Sequence, residues 1–277
     1  MKRRPAVSGQ FYYANLSKLR AQVEACIATG LPEGRRFSGE AGKEKVIGVL
    51  SPHAGLMYSG AVAGAVYSRI KFPHTFILIG PNHTGFGTKV ALMSYGEWEI
   101  PLGTVKIDEE LSGKILTEGA IIEEDAQAHL FEHSLEVQLP FILYFSQNVM
   151  IVPITMMSHS LEDCMAVGEA IAKAVEQTSH SVVIVASSDM SHYEPDDIAR
   201  QKDKKAIERI LDLDPEGLHR TVMEERISMC GFAPATAMLS ASKALGAREA
   251  ELIKYMTSGE VSGDFEHVVG YAGVIVR

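Results

Sequence analysis

The stretch TFILIGPNH, residues 75–83, decides the predicted fold. It begins as a continuous apolar run, which is typical of a strand buried on both faces of a parallel sheet. The run stops at Gly80 and Pro81, and His83 follows almost at once. We therefore predict a core strand that carries a histidine at its carboxyl end.

Two other segments repeat this pattern. KVIGVLSPHAG, residues 45–55, ends in His53, and SVVIVASSDMSH, residues 181–192, ends in Asp189 and His192. In open α/β sheets, ligands bind beyond the carboxyl ends of the strands. If the three strands are parallel neighbours, their polar ends converge on one pocket. An imidazole placed there can serve as a metal ligand or as a general acid or base.

The rest of the chain supplies helices between such strands. Residues 15–30, 161–177 and 195–214 read as helices, and other strand patterns lie between them. This alternation predicts an α/β fold, with a mostly parallel sheet covered on both faces. Residues 89–107 alternate around a Pro-Leu-Gly turn, which indicates antiparallel strands added at an edge. Because no repeat or linker interrupts the pattern, we expect one domain, residues 1–277.

Composition narrows the class of protein. A net charge of −9 argues against a nucleic-acid or anionic-membrane partner. The longest apolar runs fall far short of the roughly 20 residues that a membrane span needs. We therefore expect a cytoplasmic protein. The three cysteines, Cys26, Cys164 and Cys230, are widely spaced, and reduced thiols are the expected state.

A metal site needs more than two imidazoles. Two histidines with an anionic third ligand and open positions can hold a redox or Lewis-acid metal. Spacing alone does not specify the third ligand, but Cys230 in SMCGFAP, residues 228–234, lies in a turn where glycine permits close approach to a pocket. Asp189 stands three residues before His192, so we expect it to orient an imidazole.

A competing motif is HLFEH, residues 129–133, which matches H-x-x-E-H. On a helix, His129 and His133 share a face, so both could bind zinc with Glu132 as the base of a peptidase. In the other interpretation, the segment EHSLEVQLPF turns His133 and Glu136 towards the pocket at the strand ends.

Seven blocks of the chain together resemble the Memo family of bacteria, archaea and eukaryotes. They occur in order along nearly the whole chain: RRPAVSGQFYYA, SPHAGLMYSG, GPNHTG, FEHSLEVQLPF, SSDMSHY, MCGFAPA and YMTSGEVSGDFEHVVGYAGV. The resemblance implies a three-layer α/β/α domain with a mixed central sheet, similar in fold to class III non-haem-iron extradiol dioxygenases. It also implies His53, His83 and Cys230 as the metal ligands, with Asp189 and His192 close by. Those dioxygenases use glutamate as the third ligand, where the Memo pattern has cysteine.

The resemblance leaves several activities open. Some family members are described as phosphotyrosine-peptide binders, and others as metal-dependent redox proteins that bind copper or iron. Prokaryotic members often accompany AMMECR-type and radical-SAM proteins, which implies a shared pathway.

The favoured hypothesis is a metal-dependent oxidoreductase that uses iron or copper, or else zinc, on an unknown small molecule or peptide. In it, His192 oriented by Asp189 handles protons, and His133 and Glu136 complete the pocket wall. The alternatives are a non-catalytic module for phosphotyrosine-type or acidic ligands and, less favoured, the zinc peptidase.

Overall fold

A computed structural model describes residues 1–32 and 39–277 of the chain. Within these residues there are twelve strands, with bounds β1 Lys2–Arg3, β2 Gly48–Ser51, β3 Thr75–Pro81, β4 Val90–Leu92, β5 Glu97–Ile100, β6 Gly103–Ile107, β7 Glu123–Glu124, β8 Met150–Met156, β9 Val182–Ser187, β10 His192–Glu194, β11 Ala250–Thr257 and β12 Val268–Val276. The same residues form nine α-helices, with bounds α1 Leu16–Gly30, α2 Leu56–Tyr67, α3 Glu109–Glu118, α4 Leu139–Phe145, α5 Leu161–Glu176, α6 Asp196–Leu211, α7 Pro215–Glu224, α8 Phe232–Ala244 and α9 Gly259–Ser262.

The strands form one mixed sheet with a parallel centre. Its main order is β1-β5-β6-β8-β3-β9-β2-β12-β10, with β11 beside β12 and β4 beside β8. Strands β6, β8, β3, β9 and β2 run parallel to one another, and β12 runs antiparallel to β2. The expected antiparallel pair is present towards one edge, where β5 pairs with β6. The prediction of a mixed, mostly parallel sheet is confirmed.

Side chains of the central strands alternate between two cores. On β3, Phe76 and Leu78 join the core under α1, α2 and α4, whereas Ile77 and Ile79 join the core under α3, α5 and α8. Because both faces of the strand are covered, its residues are apolar without alternation in polarity. The architecture is therefore three layers, α/β/α, as expected.

The segment of the HLFEH motif does not form the expected helix. A 3₁₀ turn covers Gln127–His129, and a second one begins only at Glu136. The guanidinium of Arg3 donates hydrogen bonds to the carbonyl oxygens of His129, at 2.7 Å, and Glu132, at 2.6 Å. A helix would need those carbonyls to accept from amides four residues later, so the helical prediction is wrong here.

Within the described ranges, no helix combines the length and the apolar character needed to cross a membrane.

Candidate metal centre

Three strand ends meet at the carboxyl edge of the sheet. The order β3-β9-β2 makes these strands parallel neighbours, which is the condition for their polar ends to converge on one pocket. His53 and His83 each follow their strand by two residues, and His133 comes from the segment before α4. Each of the three imidazoles offers a nitrogen within 4.8 Å of the nitrogens of the other two. The sheet thus gathers three potential nitrogen ligands at one point.

The hydrogen bonds around Ser187 fix the protonated nitrogen of His53. The Ser187 hydroxyl donates to the carbonyl oxygen of Ser134 at 2.6 Å, and it accepts from the Gln138 amide at 2.8 Å. Since its proton is already used, it can only accept from His53 Nδ1, which lies 2.9 Å away. Nδ1 of His53 therefore carries the proton, and the lone pair is left on Nε2.

Glu132 lies behind the other two histidines and makes a hydrogen bond to His83. This carboxylate is fully buried, and its Oε1 lies 3.0 Å from Nδ1 of His83 and 3.5 Å from Nδ1 of His133. The amide of Ser134 also donates to Oε1, at 2.8 Å, and the amide of His83 donates to Oε2. A carboxylate behind an imidazole holds its ring and leaves the far nitrogen free to bind a metal. Sequence reasoning missed this role, because it considered Glu132 only as a peptidase base.

The charge states of this cluster favour metal binding. Burial, with the neighbouring His133 and His83, lowers the pKa of His53 well below its usual value. Burial likewise lowers the pKa of His133. Burial works to raise the pKa of Glu132, but hydrogen bonding and charge from His83 outweigh it and bring that pKa to about 2. At neutral pH, His53 and His133 are therefore neutral and Glu132 is ionised, and metal binding to imidazole needs the neutral form.

Cys230 stands beside this cluster. Its Sγ lies 3.3 Å from Nε2 of His53. The approach depends on the next residue, because a Cβ at Gly231 would come within 2.3 Å of the carbonyl oxygen of Ser187. Burial and the charge of Asp189 raise the pKa of the Cys230 thiol, so a metal bound there would have to displace its proton.

Asp189 lies in the pocket, but its contacts differ from those expected. Its Oδ1 accepts from the amides of His53, at 2.8 Å, and Ala54, at 3.2 Å. Nδ1 of His192 lies 2.9 Å from the carbonyl oxygen of Ser228, which can only accept. The structure therefore corrects the expected role of Asp189: it fixes the turn that carries His53, and the Ser228 carbonyl orients His192 with its Nε2 free.

Glu136 does not face the three histidines. Its buried carboxylate accepts from Arg3 at 2.6 Å, from Tyr12 at 2.6 Å, and from the amides of Ala6 and Val7 at 2.7 and 3.1 Å. A buried guanidinium needs such a counter-charge. The expected place of Glu136 in the pocket wall is corrected: it fastens the N-terminal segment to the domain.

His129 lies apart from the candidate centre. It is buried with its ring 5.8 Å from that of Trp98, and it is not a member of the cluster that His133 joins. The geometry therefore does not bring His129 and His133 together as zinc ligands.

The donor set fits a transition metal. The ligand atoms that lie within 4.8 Å of one another belong to His53, His83 and His133, and the Cys230 thiol is close to His53 alone. Imidazole and thiol donors suit iron, copper or zinc better than magnesium or calcium, which prefer oxygen ligands. Asp189 Oδ2 lies 4.0 Å from His53 Nε2 and adds a carboxylate at the margin of the cluster.

A cavity of about 540 Å³ lies on the other side of Phe11, and none of the three histidines is among its described lining residues. Phe11, Gly55 and Tyr58 are among its lining residues, and the ring of Phe11 stands 4.9 Å from that of His133. The described residues that line the cavity include no lysine, arginine, aspartate or glutamate. A small molecule with an uncharged, largely apolar body would fit such a lining.

Comparisons with known proteins agree on one family. Residues 3–275 match the family model described as Memo-like protein. A MEMO1 family protein from Methanopyrus kandleri is 44% identical, and the match covers 100% of this chain and 99% of the relative. Another from Methanothermobacter thermautotrophicus is 45% identical, with 98% and 99% covered.

A solved structure shares the fold. The crystal structure of the uncharacterized protein JW3007 from Escherichia coli K12 superposes with a TM-score of 0.54, covering 83% of this chain and 100% of that chain. The two sequences are 12% identical, so the likeness concerns the fold alone.

Proposed function

Because the chain belongs to the Memo-like protein family, we propose that it is a cytoplasmic, metal-dependent oxidoreductase. Its metal, iron or copper, would be held by His53 and His83 together with Cys230, and His133 is a further donor at the same point. The observation that carries the proposal is the Glu132 carboxylate behind His83 and His133, at 3.0 and 3.5 Å, with an ordered imidazole of His53 facing them.

Iron or copper bound there would supply one-electron redox chemistry and Lewis acidity. The chain's own residues would do the rest. Ser187 keeps Nε2 of His53 unprotonated, and Glu132 holds the ring of His83 by a hydrogen bond and lies 3.5 Å from Nδ1 of His133. The free Nε2 of His192 can accept or return a proton, because Nδ1 is committed to the Ser228 carbonyl.

The cavity beside Phe11 is the proposed substrate site. It would bind an uncharged organic substrate through apolar and aromatic contacts, and its lining residue Phe11 contacts the ring of His133. Such a lining would also displace water from the substrate's surroundings, which strengthens electrostatic interactions at the reacting atoms.

The test begins with protein purified anaerobically without a metal-binding tag. We expect iron or copper in mass-spectrometric metal analysis, and O₂ reduction when the loaded protein is exposed to air with a reductant. Cys230→Ser should lose most of the metal, whereas Cys26→Ser and Cys164→Ser, which change cysteines buried on helices, should keep it. If loaded wild-type protein neither reduces O₂ nor turns over any tested substrate, the proposal fails.

The lining of the cavity does not favour phosphate binding within it. Phosphate recognition usually relies on arginine or lysine, and the described lining offers neither. Calorimetry with phosphotyrosine peptides should therefore give no heat at high micromolar concentration. Saturable binding there would favour a binding module over the oxidoreductase.

A further inference from the structure

A second group of metal-binding side chains lies at the opposite end of the same sheet. His74 directly precedes β3, His180 precedes β9 by two residues, and Asp108 follows β6 and caps the N-terminus of α3. Ligand atoms of the three residues all lie within 4.8 Å of one another. Three chain segments far apart in sequence thus meet where β3 and β9 begin and β6 ends.

The two oxygens of Asp108 have separate partners. Oδ1 accepts from the amide of Leu111 at 3.0 Å and so caps α3. Oδ2 lies 3.1 Å from Nε2 of His180 and accepts from the hydroxyl of Thr75 at 2.6 Å. The cap holds the carboxylate in place, and Oδ2 is left facing the histidines.

The imidazoles are close enough to share an ion. Their ring centroids lie 4.3 Å apart, and Nδ1 of His74 lies 3.0 Å from the same Thr75 hydroxyl. His74 is exposed and His180 is partly exposed, whereas Asp108 is buried, so an ion can arrive from solvent and meet a fixed anion.

We propose that His74, Asp108 and His180 bind a divalent transition-metal ion, with Zn²⁺ as the best match. Two imidazoles and one carboxylate are a known ligand set for zinc, and water completes the tetrahedron. The Thr75 hydroxyl donates to Asp108 Oδ2 at 2.6 Å and lies 3.0 Å from His74 Nδ1 and 3.3 Å from His180 Nε2. A bound ion would replace these contacts with bonds to the same three side chains.

A metal ion at this site would stabilise the folded chain. The three ligands belong to segments that lead into β3, β9 and α3, so one ion would cross-link elements of both the sheet and a covering helix. A ligand that binds only the folded chain raises its thermal midpoint. The inference does not depend on the redox proposal, because it concerns other residues and a redox-inert ion.

The test must separate the two clusters. Calorimetric titration with Zn²⁺ should show two sites per chain in wild type and one in the double variant His53→Gln/His83→Gln. Adding His180→Gln to that double variant should abolish the remaining site. Adding His267→Gln, which removes an exposed histidine elsewhere, should leave it unchanged.

Asp108→Asn gives a subtler check in the same background. Asparagine still caps α3 through its oxygen but lacks the negative charge, so zinc affinity should fall at least tenfold while the helix is kept. The proposal is overturned if the double variant binds no Zn²⁺, or if its binding survives His180→Gln. Should the double variant fail to fold, anomalous diffraction from zinc-soaked wild-type crystals decides, since a missing peak between His74, Asp108 and His180 would equally reject the site.

Discussion

Glu132 and Glu136 lie four residues apart and are both fully buried, yet their carboxylates meet opposite kinds of partner. Glu136 binds the guanidinium of Arg3, which is always charged. Glu132 lies against His83 and His133, whose far ring nitrogens can bind a metal. Both residues are buried glutamates, so neither burial nor residue type distinguishes them. The side chain that each carboxylate contacts decides whether it stabilises the fold or supports the candidate metal ligands.

The local backbone explains why the two carboxylates diverge. On a continuous helix, residues four apart would face the same way. Here Arg3 occupies the carbonyl oxygens of His129 and Glu132, and no helix forms across them. One arginine therefore both pairs with Glu136 and shapes the turn that presents Glu132 to the histidines.

The largest effect should come from breaking the structural pair. Glu136→Gln leaves the buried Arg3 without its counter-charge, so the free energy of unfolding should fall by about 3–5 kcal/mol. Urea denaturation followed by circular dichroism measures this. The companion double variant Arg3→Met/Glu136→Gln should lose less than the sum of its single variants. A Glu136→Gln protein as stable as wild type would remove the structural assignment.

The pH dependence of stability should single out Glu132. Its folded pKa of about 2 lies below the ordinary 4.5, so its contribution to stability is present above pH 4.5 and is lost as the pH falls towards 2. The loss amounts to about 3 kcal/mol at 1.36 kcal/mol per pKa unit. Denaturation of metal-free protein between pH 5 and pH 2 should show this decline in wild type and a smaller one in Glu132→Gln. Parallel curves for the two proteins would contradict the assignment.

Metal affinity should respond to Glu132 and not to Glu136. Removing the carboxylate behind two ligating imidazoles should weaken binding about 10–100-fold. Competition with a chromophoric chelator measures the metal affinity of Glu132→Gln. The matched control is Glu136→Gln, with its affinity calculated for the molecules that are folded. Equal affinities for the two variants would mean that Glu132 does not support the metal ligands.

The smallest effect should follow from Asp189→Asn. The asparagine oxygen can still accept from the amides of His53 and Ala54, so the fold and metal content should stay nearly intact. Loss of the negative charge should lower the pKa of the Cys230 thiol, which that charge raises. The rate of alkylation by iodoacetamide at a fixed pH, in metal-free protein with a Cys26→Ser/Cys164→Ser background, rises with the thiolate fraction and so reports the shift. A rate that is unchanged or lower in Asp189→Asn would show that Asp189 does not act on Cys230.

Much of the fold could be predicted from strand patterns. Runs such as residues 75–83 identify buried parallel strands, and their polar ends identify the edge where ligands bind. The role of Glu132 could not be predicted, because it depends on a contact with Arg3, more than a hundred residues away in the chain. That contact takes the carbonyl oxygen of Glu132, which a helix through this segment would need. The partners of Asp189 and Glu136 were likewise set by tertiary contacts that local spacing does not encode.

The most direct test of the metal centre is anomalous diffraction from crystals of wild-type protein loaded anaerobically with iron. The account predicts a strong peak bounded by Nε2 of His53, Nε2 of His83 and Sγ of Cys230, with His133 beside the same point. A fully loaded crystal with no peak among these side chains would contradict the assignment of this edge of the sheet as the metal centre.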